Sequence, residues 1–292
     1  MIVGAGLAGL IAAHGLPGMP IIDRNATPSE SHKALLRFRS TAVADLTGIE
    51  FRPVTVRKGI WMDGQWIEPN IACANHYSRK VIGKLVDRSI WQLSPETRWI
   101  APLNFYDQLI DSVANRIEWG VEADWESGGL ISTAPLPVML NALKINTPLE
   151  FKRAPITVRR WLVDDCDAHQ TVYYPTPHHN LYRASITGNL LIAEYSGEDS
   201  IHCTHDLLDS FALDSDNLTP FGESTQDYGK IAAVDEGERK ALISKLTVGR
   251  DIFCIGRYGT WRNILLDDVV HDVAVVKRLM KATNYERRLA AV

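Results

Sequence analysis

The chain has 292 residues, 46% apolar and 23% charged, enough to bury one large core or two interlocked ones. Its 31 Lys and Arg against 35 Asp and Glu leave a net charge of −4, which excludes the global basic field of a nucleic-acid or anionic-membrane binder. Cys73, Cys166, Cys203 and Cys254 show no paired spacing, which argues against a disulfide frame or a zinc site; no metal is expected.

The first element is a short apolar strand, Met1-Ile2-Val3, which runs into Gly4-Ala5-Gly6-Leu7-Ala8-Gly9. A helical run follows (Leu10 to Ala13), then a second apolar strand, Met19 to Ile22, ending in Asp23 and Arg24. This order is what a dinucleotide phosphate requires. Gly4 allows the tight turn, Gly6 lets the backbone approach a pyrophosphate, and Gly9 lets helix and strand pack closely. The amides of Leu7 and Ala8 at the helix start face the phosphates, and Asp23 is expected to accept from a ribose hydroxyl. With a strand at residue 2 no signal peptide is expected, and no apolar run approaches membrane-spanning length. A soluble, cytoplasmic protein with no membrane partner follows as the expectation.

The stretch from Lys33 to Arg88 is rich in Lys and Arg, and that from Glu194 to Glu238 is mostly acidic. These are solvated faces or, for the basic half, a surface for phosphate or nucleic acid. Ala34 to Leu46 fits a strand or a helix. Phe51 to Trp61 alternates as a half-buried strand does, and Asp63-Gly64 predicts a hairpin returning through Gln65-Trp66-Ile67. Helices are predicted over Tyr77 to Leu85 and Leu103 to Ile117, and strands near Ile117–Val121 and Leu130–Thr133. Ala134-Pro135-Leu136-Pro137 is expected to break the chain. Val158–Val163, Gln170–Tyr174, Leu181–Ile186 and Leu190–Glu194 predict an antiparallel sheet, followed by helices over Leu207–Leu213 and Glu236–Leu246.

The last unit, Ile252-Phe-Cys-Ile-Gly256-Arg257-Tyr258-Gly259-Thr260-Trp261-Arg262-Asn263, repeats strand, glycine turn and helix, the helix being expected from Asn263 to Met280. Phe253 to Arg262 resembles the C-terminal FAD motif of the UDP-galactopyranose mutases. Leu130 to Val138 is similar to the middle motif that they share with the flavin amine oxidases. Val172 to Tyr195, with Tyr182-Arg183 and Glu194, is similar to the mutase substrate sheet.

The resemblance implies an α/β protein: a discontinuous Rossmann-like FAD-binding domain of the glutathione-reductase type with an inserted antiparallel-sheet substrate domain. Residues 1–45, 96–140 and 236–292 are assigned to the FAD domain, and 46–95 and 141–235 to the substrate regions. It implies FAD as cofactor and Arg257 at a phosphate or the flavin edge. The backbone N–H groups of Trp261, Arg262 and Asn263 are expected at the flavin, Asn263 serving equally as a helix N-cap. The chain departs from the mutases in its shorter length, in Asp23 where they carry Glu, and in Ser31 to Arg39 where they carry a Gly-Gly pair.

Arg183 and Tyr258 are the residues assigned to the chemistry. In an apolar strand Arg183 has to meet an anion, either a substrate acid or Glu194 across the hairpin. Tyr173, Tyr174, Tyr182 and Tyr258 wall an aromatic site or pack in the core; Cys254 is read as packing. His178-His179 has no further ligands at metal spacing. The implied activity is FAD-dependent oxidation of a C–N bond, as in amine oxidases. A non-redox mutase or lyase is the alternative, as is a phage-encoded flavoenzyme acting in the host cytoplasm on amino-acid-modified thymine in DNA. Partners are then a small-molecule or nucleic-acid-linked amine, with DNA possible and the oligomeric state open.

Overall fold

The computed structural model describes residues 1–29, 36–85, 90–91, 93–196, 201–283 and 286–287. Much of the basic run from Ser31 and the position of Arg88 lie outside them. The chain divides into two compact units, Met1–Arg52 with Trp99–Lys152 and Ala233–Val292, and Pro53–Arg98 with Arg153–Ala232. The boundaries lie 3 to 12 residues from those read in the sequence.

The first unit is built on a five-stranded parallel sheet. Its strands are β1 (Ile2–Val3), β2 (Ile21–Asp23), β7 (Ile117–Trp119), β8 (Leu130–Ser132) and β14 (Ile252–Cys254), in the order β14-β8-β1-β2-β7. Ile2 lies opposite both Ile21 and Ile131, and Phe253 opposite Ile131, so the two ends of the chain enter one sheet on either side of β8. The strands are short and apolar because a parallel sheet is covered on both faces. Helix α1 (Leu7–Gly15) packs against α4 (Phe105–Val113) and α9 (Leu266–Lys281). A Cβ on Gly15 would come within 2.4 Å of Val273 Cγ1, so only glycine lets α1 and α9 approach this closely.

The ambiguous segment 34–46, of which 34 and 35 lie outside the described residues, holds β3 (Arg37–Phe38) and leads into α2 (Ala42–Thr47). Phe38 stacks on Phe51 at 4.7 Å, and Phe105 meets both edge-on at 5.8 and 5.4 Å. This aromatic trio fastens the segment to α4. The expected break at Ala134–Pro137 is instead the start of α5 (Leu136–Ala142), since proline is tolerated in a first helical turn. Helix α7 (Glu236–Arg250) precedes β14, and α8 (Gly256–Gly259) follows it.

The second unit is a sheet in the order β13-β9-β12-β11-β10-β4-β6. Its strands are β4 (Arg52–Met62), β6 (Glu96–Ile100), β9 (Arg153–Val163), β10 (Ala168–Tyr173), β11 (Leu181–Gly188), β12 (Leu190–Tyr195) and β13 (Leu218–Ile231). The sheet is antiparallel from β13 to β10, but β4 joins β10 in parallel, which corrects the purely antiparallel reading. The hairpin from β4 to β5 (Gln65–Ile67) turns at Asp63 and Gly64, with φ of 54° and 76°, as the twist of the flanking strands demands. Helix α3 (Ile71–Ile82) covers one apolar cluster that includes Ile60, Val158 and Tyr182; α6 (Ile201–Phe211) contributes Leu207 to another that includes Val172 and Leu191.

Strand β13 was not foreseen. Its Thr-Pro-Phe-Gly-Glu-Ser-Thr-Gln-Asp run is mostly exposed and polar, with two register shifts. Pro220 is tolerated there because β13 is an edge strand.

Phe105→Ala removes a fully buried ring at the centre of the trio. It is expected to lower stability by roughly 3–5 kcal/mol in urea denaturation. A loss below about 1 kcal/mol, within the range of ordinary surface changes, would contradict the packing described.

Candidate dinucleotide site and sheet-face cluster

The first glycine turn is held by backbone contact. Gly4 has φ +102°, and a Cβ there would lie 2.3 Å from Thr133 Oγ1, which donates to Val3 O at 2.8 Å. A Cβ on Gly9 would lie 1.8 Å from the Gly4 carbonyl oxygen, so α1 sits directly on the end of β1. Gly6 is the extended N-cap of α1, no side chain caps it, and the first intrahelical bond is Leu10 N to Gly6 O at 3.0 Å. The amides from Gly6 through Gly9 are therefore outside the helix ladder. Such a set of donors at a positive dipole end is a seat for an anion.

Asp23 does more than the sequence suggested. Its Oδ2 accepts from Ala5 N and its Oδ1 from Asn25 N, both at 2.8 Å. Tyr106 OH donates to Ala5 O at 3.2 Å, so both polar groups of Ala5 are fixed. Asp23 thus shapes the turn, and each oxygen keeps a further lone pair to accept with. Arg24 is exposed.

The second turn comes to the same place. Gly256 has φ +74°, and a Cβ there would lie 2.9 Å from Ala8 Cβ; one on Gly259 would lie 2.6 Å from Ser132 O. Residues 4–9, 132–133 and 256–260 therefore converge. Thr260 closes the turn through N and Oγ1 on Gly256 O at 3.0 and 2.6 Å. Arg239, itself gripping Glu236, donates to Thr260 O at 3.0 Å. Arg262 Nε donates to Thr260 Oγ1, and its Nη2 reaches both oxygens of buried Asp272, which also accepts from Gly256 N.

This geometry corrects three assignments. Helix α9 starts at Leu266, so Asn263 is not its N-cap; it is exposed and accepts from Arg257 Nη2 at 3.3 Å. The Arg262 amide donates to Arg257 O at 3.0 Å and the Trp261 amide to Tyr258 O at 3.4 Å, so those N–H groups close the turn instead of facing a ligand. Trp261 holds a left-handed φ of 49°, a strain of roughly 1–2 kcal/mol. Its ring, 2% exposed and edge-on to Phe151 at 5.1 Å, secures it there.

Two polar atoms are buried without a partner here, Arg257 Nε in the second turn and Ser132 Oγ at the end of β8. Arg257 is among the residues singled out in the sequence; Ser132 is not, since a serine ending an apolar strand carries no distinguishing signal. Tyr258 lies beside Arg257, whose guanidinium carbon is 5.9 Å from its ring, and burial pushes its phenol up. Cys254 is buried and its thiol is pushed up to about 12.

In the second unit a bulge sets Tyr182 and Arg183 together against Glu194, because the β11–β12 register slips between Leu181 and Arg183. Arg183 Nη2 and Tyr182 OH both donate to the Glu194 carboxylate, and Lys230 Nζ lies 3.9 Å from it. Of the two partners open to Arg183 in the sequence, the structure shows Glu194. Burial raises the Glu194 carboxyl, but the charges of Arg183 and Lys230 and the two hydrogen bonds outweigh it and hold it at about 2. Burial and Glu194 push the Tyr182 phenol well up.

A further cluster was legible only as His178-His179. His178 is exposed, whereas His179 is buried, with Nε2 3.0 Å from Asp206 Oδ2 and Nδ1 3.4 Å from Lys80 Nζ. Trp61 Nε1 also donates to Asp206, at 3.0 Å. Burial and Lys80 bring the imidazole down to about 4.

No protein-family model and no curated protein sequence matches the chain. Solved structures do. Reduced UDP-galactopyranose mutase superposes with a TM-score of 0.65 at 14% identity, over 96% of this chain and 93% of that one. The PF1083 protein of Pyrococcus furiosus gives 0.55 at 11% identity, over 96% and 97%. PqsL of P. aeruginosa, in complex with 2-aminobenzoylacetate, gives 0.52 at 10% identity, over 99% and 89%. The fold is the one these three proteins share. The expected α/β class, with its parallel Rossmann-like sheet and second sheet, is observed.

Gly9→Ala is expected to destabilise the chain by several kcal/mol, because the added carbon meets backbone. Gly249→Ala, on α7 with open space around it, is expected to gain roughly 0.5–1 kcal/mol. Equal effects in urea denaturation would contradict the close approach. The His179 imidazole lies below its ordinary 6.5 when folded, so the unfolded chain takes up the proton first. Stability should therefore fall as pH drops from about 6.5 towards 4, and His179→Asn should flatten that limb of a stability–pH curve. An unchanged limb would contradict the burial of a neutral His179.

Proposed function

We propose that the chain is an FAD-dependent oxidoreductase of the amine-oxidase type, acting on a C–N bond of an amino-bearing substrate. The observation that carries the reading is the convergence of two glycine turns on one sheet, Gly256 against Ala8 and Gly259 against Ser132. A nicotinamide site needs one such turn. The donor set suits an elongated dinucleotide: free amides at α1, a lone pair on Asp23, and the unpartnered Arg257 Nε and Ser132 Oγ. In this reading Gly4, Gly6, Leu7, Ala8 and Gly9 seat the pyrophosphate, Asp23 takes a ribose hydroxyl and Arg257 a phosphate.

When bound, FAD supplies the acceptor for a hydride leaving the carbon next to the amine nitrogen. The protein's part is to bind and orient. Glu194 is held ionised and Tyr182 and Tyr258 are held protonated, so these groups keep fixed charges near neutral pH. They serve as a polar frame rather than as proton carriers. Arg183 is about one third exposed, and its remaining N–H groups are offered to a polar group of the substrate.

The likeness to UDP-galactopyranose mutase favours a second reading, a non-redox rearrangement on the same cofactor. A narrower form of the first places the amine on thymine in DNA, as in a phage-encoded enzyme working in the host cytoplasm. The two chemistries separate cleanly. Peroxide released from an amine panel supports the oxidase, and turnover only after flavin reduction supports the mutase. Salt-sensitive binding to duplex DNA supports the DNA-linked substrate.

Purified, folded protein is expected to take up FAD and turn yellow, and Arg257→Gln to weaken that uptake about tenfold, as loss of a charged hydrogen bond does. Arg183→Ala should impair turnover and keep the flavin. Folded protein that takes up no FAD would sink the proposal.

A further inference from the structure

Arg160 on β9 is 7% exposed and has no counter-charge. Its Nη1 and Nη2 both donate to one hydroxyl, Ser224 Oγ, at 3.1 and 3.2 Å, and its buried Nε has no acceptor. Among the described residues no carboxylate pairs with it. The nearest acid along β13, Glu223, is taken by Arg159, whose Nε lies 2.8 Å away. Neighbouring residues of a strand point to opposite faces, so Arg159 and Glu223 serve the other side of the sheet.

The surroundings of Arg160 are mixed. Across β12 it faces Ile192, and one strand further along the same row is Ser185. On the β13 side it faces Gly222, at a register shift, with φ +149°. A Cβ on Gly222 would meet nothing within 4 Å, so space is left open at the bulge beside Arg160.

A guanidinium removed from water with a single hydroxyl as its partner is costly, because charge burial is offset only by an opposite charge and full hydrogen bonding. An arriving oxyanion would supply both the missing charge and the missing acceptor. A planar fork with a free Nε is suited to donating two parallel hydrogen bonds to one carboxylate or phosphate.

We propose that Arg160 and Ser224 form an anion subsite on the second unit, which takes one carboxylate or phosphate group of the ligand. The site itself stands on the second unit alone. Naming its occupant as the acidic end of the amine substrate rests on the oxidoreductase reading. Arg183 already carries the charge of Glu194, whereas Arg160 brings an uncompensated positive charge, and this selects an acidic over a neutral amine.

The test is thermal unfolding of the full chain with inorganic phosphate or malonate, against sodium chloride at matched ionic strength. Phosphate or malonate is expected to raise Tm saturably. Arg160→Gln should weaken that response at least about tenfold, the loss of a charge-assisted hydrogen bond. In anion-free buffer it should leave Tm unchanged or raised, since an unpaired buried charge is removed. Ser224→Ala should weaken the response and keep the fold. A response to phosphate alone identifies a phosphate group, and one to malonate a carboxylate. No saturable response to either, or an equal response in Arg160→Gln, overturns the proposal. Should Arg160→Gln fail to fold, Arg160→Lys decides, because it keeps the charge and loses the fork; an undiminished response there overturns it. FAD uptake by the same samples is read separately from flavin absorbance. Protein that answers to anions without FAD therefore counts against the oxidoreductase reading and leaves the subsite standing.

Discussion

The structure depends on close approaches at glycines where no side chain fits. Gly9 rests on the carbonyl of Gly4, Gly259 on that of Ser132, and Gly256 against Ala8. These approaches set α1 on the end of β1 and bring the last strand's turn beside the first. What reads as a cradle lies at these approaches: the amides of α1 outside the helix ladder, the unpartnered Arg257 Nε, and the use of Asp23 to fix Ala5. The surrounding bonds then over-determine the second turn. Thr260, Arg262, Arg239 and Asp272 hold it so firmly that Trp261 is kept in a left-handed conformation.

Charge in the second unit is similarly locked. Glu194 collects Arg183, Tyr182 and Lys230, and His179 is held neutral between Lys80 and Asp206. Such groups do not trade protons near neutrality, which accords with the proposed chemistry being carried by a cofactor rather than by a nucleophilic side chain. Arg160, by contrast, meets only the hydroxyl of Ser224 among the described residues, which is why the proposed anion subsite is placed there.

Much of this was legible in the sequence, for identifiable reasons. Glycine spacing after a short apolar strand is a backbone constraint, so Gly4, Gly6, Gly9 and Gly256 could be read with no structure. Alternation marked β4 because that strand is half-buried, and runs of strand-forming residues between turns marked β9 to β12. What escaped reading depended on contacts distant in sequence or on exposure. Strand β13 is polar and interrupted by Pro220, and its identity comes from pairing with β9. The N–H groups of Trp261 and Arg262 looked free from local order, yet they are consumed by residues 258 and 257. The bulge that sets Tyr182 beside Arg183 leaves no mark in the sequence, and neither does the orphaned state of Arg160, which needs its neighbours to be known.

The central claim is that the two glycine turns form one cradle for one dinucleotide. Calorimetric titration of the full chain with FAD and with NAD, repeated on Gly256→Ala, tests it most directly. The account predicts one FAD per chain, no comparable binding of NAD, and loss of FAD binding in Gly256→Ala, whose added carbon meets Ala8 in a left-handed backbone. Binding of NAD in preference to FAD, or FAD binding untouched by Gly256→Ala in a folded protein, would contradict it.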